Sequence, residues 1–285
     1  MLRYEIKDHH QNFRWHMDDT KSSFFDVRVV WNDFLFPQSI KSAKMRGMKT
    51  LLYQHGRFCM REYRDRKPMT DGVLVWGEDA KRDLMMGGYP EHRILVAGHK
   101  AFDDITYRKK KERKDNIHIC FTAQHWAGKP LSQNDTAINT IKDAMLPGDF
   151  LTVKTTEKTV GLPHDISTFK TKTEDPKAFD KIKKFLKDID VVVTLSESTF
   201  ELFARVMEIP VIQLNSDLYD TPLIDGRMHI PQEKDDYMIW IDPGELKLQL
   251  PFIRNVVYNL KDTWKDEILI PSVDDEDIDN FVKTL

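Results

Sequence analysis

The chain has 285 residues, 40% of them hydrophobic, and a formal net charge of −3. This length suits one large domain or two modest ones with a sizeable core, and the composition excludes disorder over the whole chain. Without a basic excess, a nucleic-acid partner would need a local basic patch. The cysteines Cys59 and Cys120 fit neither a metal motif nor a disulfide framework, which predicts free thiols. Neither a signal core nor a membrane span is found, so we expect a cytoplasmic protein, in the host cytoplasm if phage-encoded.

Short apolar runs alternate with helical patterns in the first hundred residues, which is typical of parallel α/β architecture. Each predicted strand ends in a polar or glycine-containing turn, where the loops of a parallel sheet gather. The predicted strands are residues 25–31, 50–54, 72–76 and 93–97, and the predicted helices are residues 37–46 and 78–86.

Residues 107–116 read YRKKKERKDN and change the composition abruptly. A solvated linker between two domains is one interpretation, and a nucleic-acid contact is the other.

The same alternation starts again after this segment, which predicts a second α/β lobe. We expect an N-terminal acceptor-binding lobe at residues 1–108, a nucleotide-sugar-binding lobe at 115–250, and C-terminal helices at 251–285. Those helices cross back to the first lobe or form an interface, and both roles stay open. The predicted strands are 117–122, 150–154, 190–195, 210–214 and 238–241, and the predicted helices begin near residues 135, 176, 199, 251 and 275.

The strongest candidate site follows the most apolar predicted strand, DVVVTL, and leads directly into a helix. Ser196, Ser198 and Thr199 place hydroxyl groups at the mouth of that helix, where free N–H groups and the helix dipole favour an anion. A structural interpretation competes, because Ser198 and Glu201 also have the spacing of a capping box.

A second candidate is His55, just after a first-lobe strand. A neutral imidazole there is suited to accept a proton from a hydroxyl group, although a hydrogen-bonded structural histidine fits equally well. Arg57, Arg61 and Arg64 lie in the basic and aromatic loop that follows, which suits an anionic acceptor.

Two further loops belong to the second lobe. Thr122, Gln124 and His125 follow its first strand, and Lys154 ends its second, where a cation would offset phosphate charge. A surface loop and a solvated lysine are the structural alternatives. The sequence has no Walker loop, no G-x-G-x-x-G after a strand, no G-x-S-x-G elbow and no metal-ligand spacing.

In their order, these loops resemble those of GT-B glycosyltransferases, especially the UDP-N-acetylglucosamine 2-epimerase and CDP-glycerol glycerophosphotransferase groups. The resemblance covers roughly residues 25–215. It departs from those groups in lacking the His-Pro turn after the second-lobe lysine and the acidic catalytic residues of the epimerases, so transfer is implied rather than epimerisation. The matching segments are Gln54-His55-Gly56, Val75-Trp76-Gly77, Gly87-Gly88, Gly98 to Asp103, Thr122 to His125, Ser196 to Glu201, and Pro210-Val211-Ile212.

The resemblance implies an α/β fold in which two Rossmann-like lobes face across a cleft, in a compact version of GT-B. It implies an inverting glycosyltransferase that needs neither a metal nor another cofactor and takes a nucleotide-sugar, with a UDP-sugar favoured. Ser196, Ser198 and Thr199 would hold the diphosphate, Lys154 or His125 would stabilise the leaving group, Glu201 would bind the ribose hydroxyls, and His55 would be the general base.

The acceptor is the least determined part of this hypothesis. A glycan, a phosphate polymer and a hydroxymethylated base in phage-type DNA are all compatible with the basic loop after His55. Two other functions stay open, namely glycerophosphate transfer from CDP-glycerol and non-catalytic binding of a nucleotide-sugar.

Overall fold

A computed structural model describes the chain at residues 4–7, 26–30, 37–54, 67–99, 102–103, 116–123, 132–156, 159, 161–163, 165–171, 177–195, 199–214, 239–248, 250 and 273–285. The chain divides into two compact units, one made of residues 1–103 and 263–285 and the other of residues 104–262.

The first unit contains a five-stranded sheet in which every described neighbouring pair is parallel and the strands follow their sequence order. Because parallel pairing needs crossover connections, all strands open toward their loops at the same, carboxyl edge. The strands are β1 (Tyr4–Lys7), β2 (Val27–Val30), β3 (Lys49–Tyr53), β4 (Gly72–Val75) and β5 (Ile94–Val96).

Helices cover both faces of this sheet. Helices α1 (Pro37–Met45) and α2 (Glu78–Met86) bury Ile40 and Leu84 against one face. The C-terminal helix α6 (Asp275–Thr284) buries Val282 against the other face, together with Leu51 and Leu74. Residues from both ends of the chain therefore share the core of the first unit.

The second unit contains a six-stranded sheet, again parallel in every described pair. Its first strand, β6, lies inside the sheet, with β7 and β8 on one side and β9, β10 and β11 on the other. The strand order therefore reverses direction between β6 and β9. The strands are β6 (His118–Thr122), β7 (Phe150–Thr156), β8 (Ser167–Thr171), β9 (Val191–Thr194), β10 (Val211–Leu214) and β11 (Ile239–Ile241).

Alternate residues of these strands face two separate sets of helices. Phe121, Val153 and Val193 join a core with helix α3 (Ser132–Ala144). On the opposite face, the ring of His118 lies 6.4 Å from that of Phe185 in helix α4 (Ala178–Leu186). Helix α5 (Thr199–Val206) packs against β9 and β10 and is buried except at Thr199.

At the amino edge of both sheets, aspartate side chains form hydrogen bonds to the backbone of neighbouring strands. The aspartate before a strand accepts a hydrogen bond from a backbone N–H at or just before the start of the neighbouring strand, so adjacent strands are held in register there. The bonds join Thr50 N to Asp71 Oδ2 (2.9 Å), Ile117 N to Asp149 Oδ1 (3.0 Å) and His118 N to Asp190 Oδ2 (2.9 Å).

The predicted α/β class with two Rossmann-like lobes is confirmed by these two parallel sheets. Strands β1 and β8 are additional to the predicted ones. Both are edge strands with charged residues in short runs, YEIK and STFKT, which lack the apolar signal of the inner strands.

The contact between α6 and the first sheet gives a test of this fold. A Cβ atom on Gly72 would lie 2.5 Å from Leu285 Cδ1 and 3.0 Å from Leu51 Cδ2. We therefore expect Gly72→Ala to lower the free energy of unfolding by about 1–3 kcal/mol, measured by urea denaturation. Gly244→Ala is the control, because a Cβ there has no atom within 4 Å. Equal stability of the two variants would contradict the described packing of α6.

Candidate functional site

A row of polar residues crosses the carboxyl edge of the second sheet. Gln213 pairs in register with Thr194, Thr194 with Thr122, and Thr122 with Lys154. Residues in register on parallel strands point to the same face, and this row lies on the face opposite the core that contains α3. The row therefore spans the position between β6 and β9 where the strand order reverses.

The inner members of this row are buried polar groups. Thr122 and Thr194 are 3% and 0% exposed, and the Thr122 hydroxyl has no hydrogen-bond partner among the described residues. A buried hydroxyl without a partner costs about 1–3 kcal/mol.

Two hydrogen bonds hold the described residues just before the two loops beside the row. The N–H of Ala123 donates to the Lys154 carbonyl at 3.0 Å, which extends the β6–β7 ladder up to the predicted Gln124–His125 loop. Gln213 Nε2 donates to the Leu195 carbonyl in a long bond of 3.5 Å, at the start of the loop that carries Ser196 and Ser198. Both loops therefore leave the sheet from anchored positions.

Lys154 lies close to the first turn of α5. Its Nζ atom is 5.8 Å from the centre of the Phe200 ring, within the range of a cation–π interaction. Thr199, the first residue of α5, directly precedes Phe200. The structure therefore brings a half-buried cation to a helix N-terminus, and both features favour an anion.

A buried ion pair lies inside α5. Arg205 Nη2 donates to Glu201 Oε1 at 3.2 Å, and the two side chains are 1% and 0% exposed. The Glu201 carboxylate is thus engaged by an arginine four residues along its own helix.

The carboxyl edge of the first sheet carries a cluster of aromatic rings. The His99 ring centre lies 6.0 Å from Tyr53, 4.9 Å from Trp76 and 5.7 Å from Phe102. Gly98, with a φ of +65°, adopts the left-handed conformation just before His99, which glycine tolerates without strain. The rings of Tyr53, Trp76 and His99, at or just after the ends of β3, β4 and β5, therefore lie together at this edge of the sheet.

Gln54 connects two of these strand ends. Its buried Oε1 accepts a 2.7 Å hydrogen bond from the backbone N–H of Trp76, and its own N–H donates to the Leu74 carbonyl at 2.9 Å. Gln54, the residue directly before His55 in the sequence, is therefore held against β4 and Trp76.

Burial shifts the ionisation of two members of the ring cluster. It raises the pKa of Tyr53 to about 12, against the opposing effect of the neighbouring Trp76 side chain. Burial also lowers the pKa of His99, against the opposing charge of Asp103. Both side chains are therefore uncharged near pH 7.

Thr122, Lys154, Thr199 and Glu201 are the predicted site residues that the structure describes, and all four belong to the second unit. Their roles remain predictions. The other predicted site residues lie outside the described residues, namely His55, Arg57, Arg61, Arg64, Gln124, His125, Ser196 and Ser198.

The structure adds residues to which the sequence assigned no role. Arg205 could have been found from the Glu-x-x-x-Arg spacing, which is unusual inside an otherwise apolar helix. His99 lies in the segment from Gly98 to Asp103, which the sequence matched to a motif without assigning a role, and its contacts with Tyr53 and Trp76 depend on strand order.

Neither a metal-binding cluster nor a membrane-spanning helix occurs among the described residues. No three histidine, cysteine, aspartate or glutamate side chains in this part of the chain are grouped as a metal site would require. Among the helices that the structure describes, none has the length and apolar character needed to cross a bilayer. Cys120 is buried, and burial raises the pKa of its thiol.

No family model matches the sequence, and no curated protein is similar to it in sequence. Solved structures with a similar fold include HepE of Anabaena in complex with UDP-glucose, at 10% identity and a TM-score of 0.47, over 87% of this chain and 72% of that one. A putative UDP-N-acetylglucosamine 2-epimerase from Listeria monocytogenes matches at 17% identity and a TM-score of 0.44, over 67% and 56%. The wall teichoic acid polymerase TagF matches at 13% and 0.46, over 84% and 68%.

These structures come from the groups that the sequence motifs resemble. At such identities and TM-scores they carry no inference about this chain's ligand or residues. The α/β assignment rests on its own two sheets.

The lowered pKa of His99 predicts a pH dependence of stability. The unfolded chain, in which the pKa returns to about 6.5, binds the proton more readily than the folded protein, so stability is full above that pH. It decreases as the pH falls from there toward the folded pKa. We expect urea unfolding between pH 7.5 and 5 to show a smaller loss of stability for His99→Phe, which keeps a ring but cannot be protonated. An identical loss in both proteins would refute the shift.

Proposed function

We propose that the chain transfers a sugar from a nucleotide diphosphate donor, preferably a UDP-sugar, to an acceptor hydroxyl. The observation that carries this proposal is the reversal of strand order between β6 and β9, with polar residues on the strand ends beside it. In open parallel sheets, ligands bind outside the carboxyl ends of strands at such a reversal.

The donor diphosphate is proposed to lie at the first turn of α5. We propose that Thr199 and the neighbouring Ser196 and Ser198 bind it through their hydroxyls and backbone N–H groups, as helix N-termini do for phosphates. Phe200 belongs to the same turn, and Lys154 of β7 lies close to its ring, where it offsets the negative charge of the diphosphate. His125 is the second candidate for this task.

Three other residues complete the proposed donor site. Thr122 offers a buried hydroxyl that has no partner among the described residues, and Gln124 follows it in the loop. Glu201 is assigned the ribose hydroxyls, as the resemblance implies. Its pairing with Arg205 holds the carboxylate in one place.

The chemical step is proposed to be a single displacement that inverts the anomeric carbon. His55 accepts the proton of the acceptor hydroxyl, whose oxygen bonds to the anomeric carbon. The bond from that carbon to the diphosphate oxygen breaks, and the nucleotide diphosphate leaves with the electron pair. Lys154 stabilises the charge that develops on it, so no metal is required.

The acceptor is proposed to be a glycan, a phosphate polymer or a hydroxymethylated base in DNA, contacted by Arg57, Arg61 and Arg64. Assays of glycan, poly(glycerol phosphate) and hydroxymethylated duplex DNA with UDP-sugars distinguish these classes.

The donor class is tested by nucleotide binding to the full chain. A ligand that binds only the folded state adds about 2.7 kcal/mol to the free energy of unfolding at a hundredfold excess over Kd, and the unfolding temperature rises as a result. We expect UDP to raise the midpoint in a thermal shift assay and CDP to do so far less. A response to CDP alone would favour glycerophosphate transfer, and a response to neither would contradict the proposal.

A further inference from the structure

Three methionine side chains are exposed at the ends of two helices of the first unit. Met45, the last residue of α1, is 83% exposed, and Met85 and Met86, the last two of α2, are 42% and 65% exposed. Methionine is ordinarily a core residue. These helices already fill the core with Ile40 and Leu84, so the three methionines lie outside it.

Contacts with the segment before β4 bring the two helix ends together. Lys44 Nζ, one residue before Met45, lies 2.8 Å from Asp71 Oδ1. The Tyr89 hydroxyl, in the turn after α2, donates to the Thr70 carbonyl at 3.1 Å. Because Thr70 and Asp71 are adjacent in the sequence, the ends of α1 and α2 meet at one place on the amino edge of the first sheet.

Exposed basic side chains surround the methionines. Lys41 precedes Met45 by four residues in α1, and Arg82 precedes Met86 by four residues in α2, so each pair shares one helix face. We call the three methionines and the nearby basic residues the amino-edge surface. Its exposed basic residues are Lys41, Lys44, Arg46, Lys49, Lys67 and Arg82.

Acidic groups beside this surface are fewer in the part of the chain that the structure describes. Asp71 is bound by Lys44, Glu91 lies 2.8 Å from Lys81 in an ion pair, and Asp26 is partly buried. The surface is therefore locally basic, although the whole chain has a formal net charge of −3. This charge favours an anionic partner over a neutral one.

The side chains favour a lipid surface over a protein or a nucleic acid. Lysine, arginine and methionine lose much conformational entropy when a rigid protein interface orders them, and lysine is depleted in such interfaces. Phosphate contacts to a nucleic acid would engage the basic groups alone. A fluid bilayer leaves these side chains mobile, accepts apolar groups below its headgroups and attracts basic groups to its anionic lipids.

We propose that the amino-edge surface binds an anionic phospholipid bilayer, with the three methionines inserted below the headgroups and the basic residues at the lipid phosphates. The carboxyl edge of the first sheet, which carries the ring cluster, then faces away from the bilayer. This inference does not depend on the proposed function, because it uses no residue assigned to the donor or the acceptor.

The test is sedimentation of the full chain with vesicles of phosphatidylcholine alone, or of equal parts of phosphatidylcholine and phosphatidylglycerol. We expect binding to the mixed vesicles and little to the neutral ones. Lys41→Gln/Lys49→Gln/Lys67→Gln should weaken that binding by about a hundredfold, since each lysine near an anionic surface contributes about fivefold. Met45→Gln/Met86→Gln should weaken it by about tenfold, because inserted apolar area is lost.

Matched controls come from the second unit. Lys170→Gln/Lys184→Gln/Lys187→Gln removes the same number of exposed charges, and Leu248→Gln removes an apolar side chain that is 67% exposed. Both should bind mixed vesicles like the wild type, because the proposal gives these residues no contact with the bilayer. All substituted side chains are exposed, so we expect unchanged unfolding midpoints.

A second measurement uses the wild type alone. Peroxide oxidises accessible methionines, so mixed vesicles should slow the oxidation of Met45 and Met86 while neutral vesicles should not. Absent binding to mixed vesicles, equal binding to neutral ones, wild-type binding by both surface variants, or unchanged oxidation would each overturn the proposal. Binding to duplex DNA without vesicle binding, lost in the lysine variant and kept in the methionine variant, would assign the surface to a nucleic acid instead.

Discussion

Parallel pairing of strands is the constraint on which the rest of this molecule depends. A parallel sheet needs a crossover after each strand, and the crossovers cover both faces, so the carboxyl edge is where loops and polar side chains collect. In the second unit this edge has one special position, between β6 and β9, where the chain turns from building one side of the sheet to building the other. In open parallel sheets, connections that leave such a position in opposite directions leave a crevice between them.

The polar row at that edge follows from the same geometry. Strand β9 begins as three buried valines and ends in Thr194, and β6 ends in Thr122 after the buried apolar residues 119–121, so both strands become polar where they reach the carboxyl edge. Aspartates at the amino edge hold β6 in register with β7 and β9, and the parallel pairing aligns Gln213, Thr194, Thr122 and Lys154 across four strands. A one-residue slip would turn every member of this row to the other face. The hydrogen bonds at the amino edge therefore help to determine which side chains lie next to one another at the carboxyl edge.

Much of the fold could be predicted from the sequence because the inner strands are short apolar runs separated by helical patterns. The runs that became β3, β4, β6, β9 and β10 were all predicted as strands, since residues buried on both faces must be apolar. The edge strands β1 and β8 escaped prediction because each is a short run that carries charged residues and lacks a continuous apolar signal. Strand order could not be read at all, since it depends on contacts between distant segments.

For the candidate site, the sequence identified single residues but not their neighbours. It placed Thr122, Lys154 and Thr199 after or at the ends of separate elements, and only the strand order and the contact with Phe200 relate them to one another. Arg205 was overlooked because a lone arginine in a helix is ordinarily exposed, and its burial depends on how α5 packs. The His99 ring cluster likewise joins residues from three strands.

The central claim is that the donor binds at the carboxyl edge of the second sheet, beside β6 and α5. Backbone hydrogen exchange with and without UDP tests it most directly, because the described residues 116–123 and 199–206 report on the two elements that form this site. We predict that UDP slows exchange in both segments, with little change in residues 67–99 of the first unit. Slowing confined to the first unit, or no slowing in either segment at saturating UDP, would contradict this account.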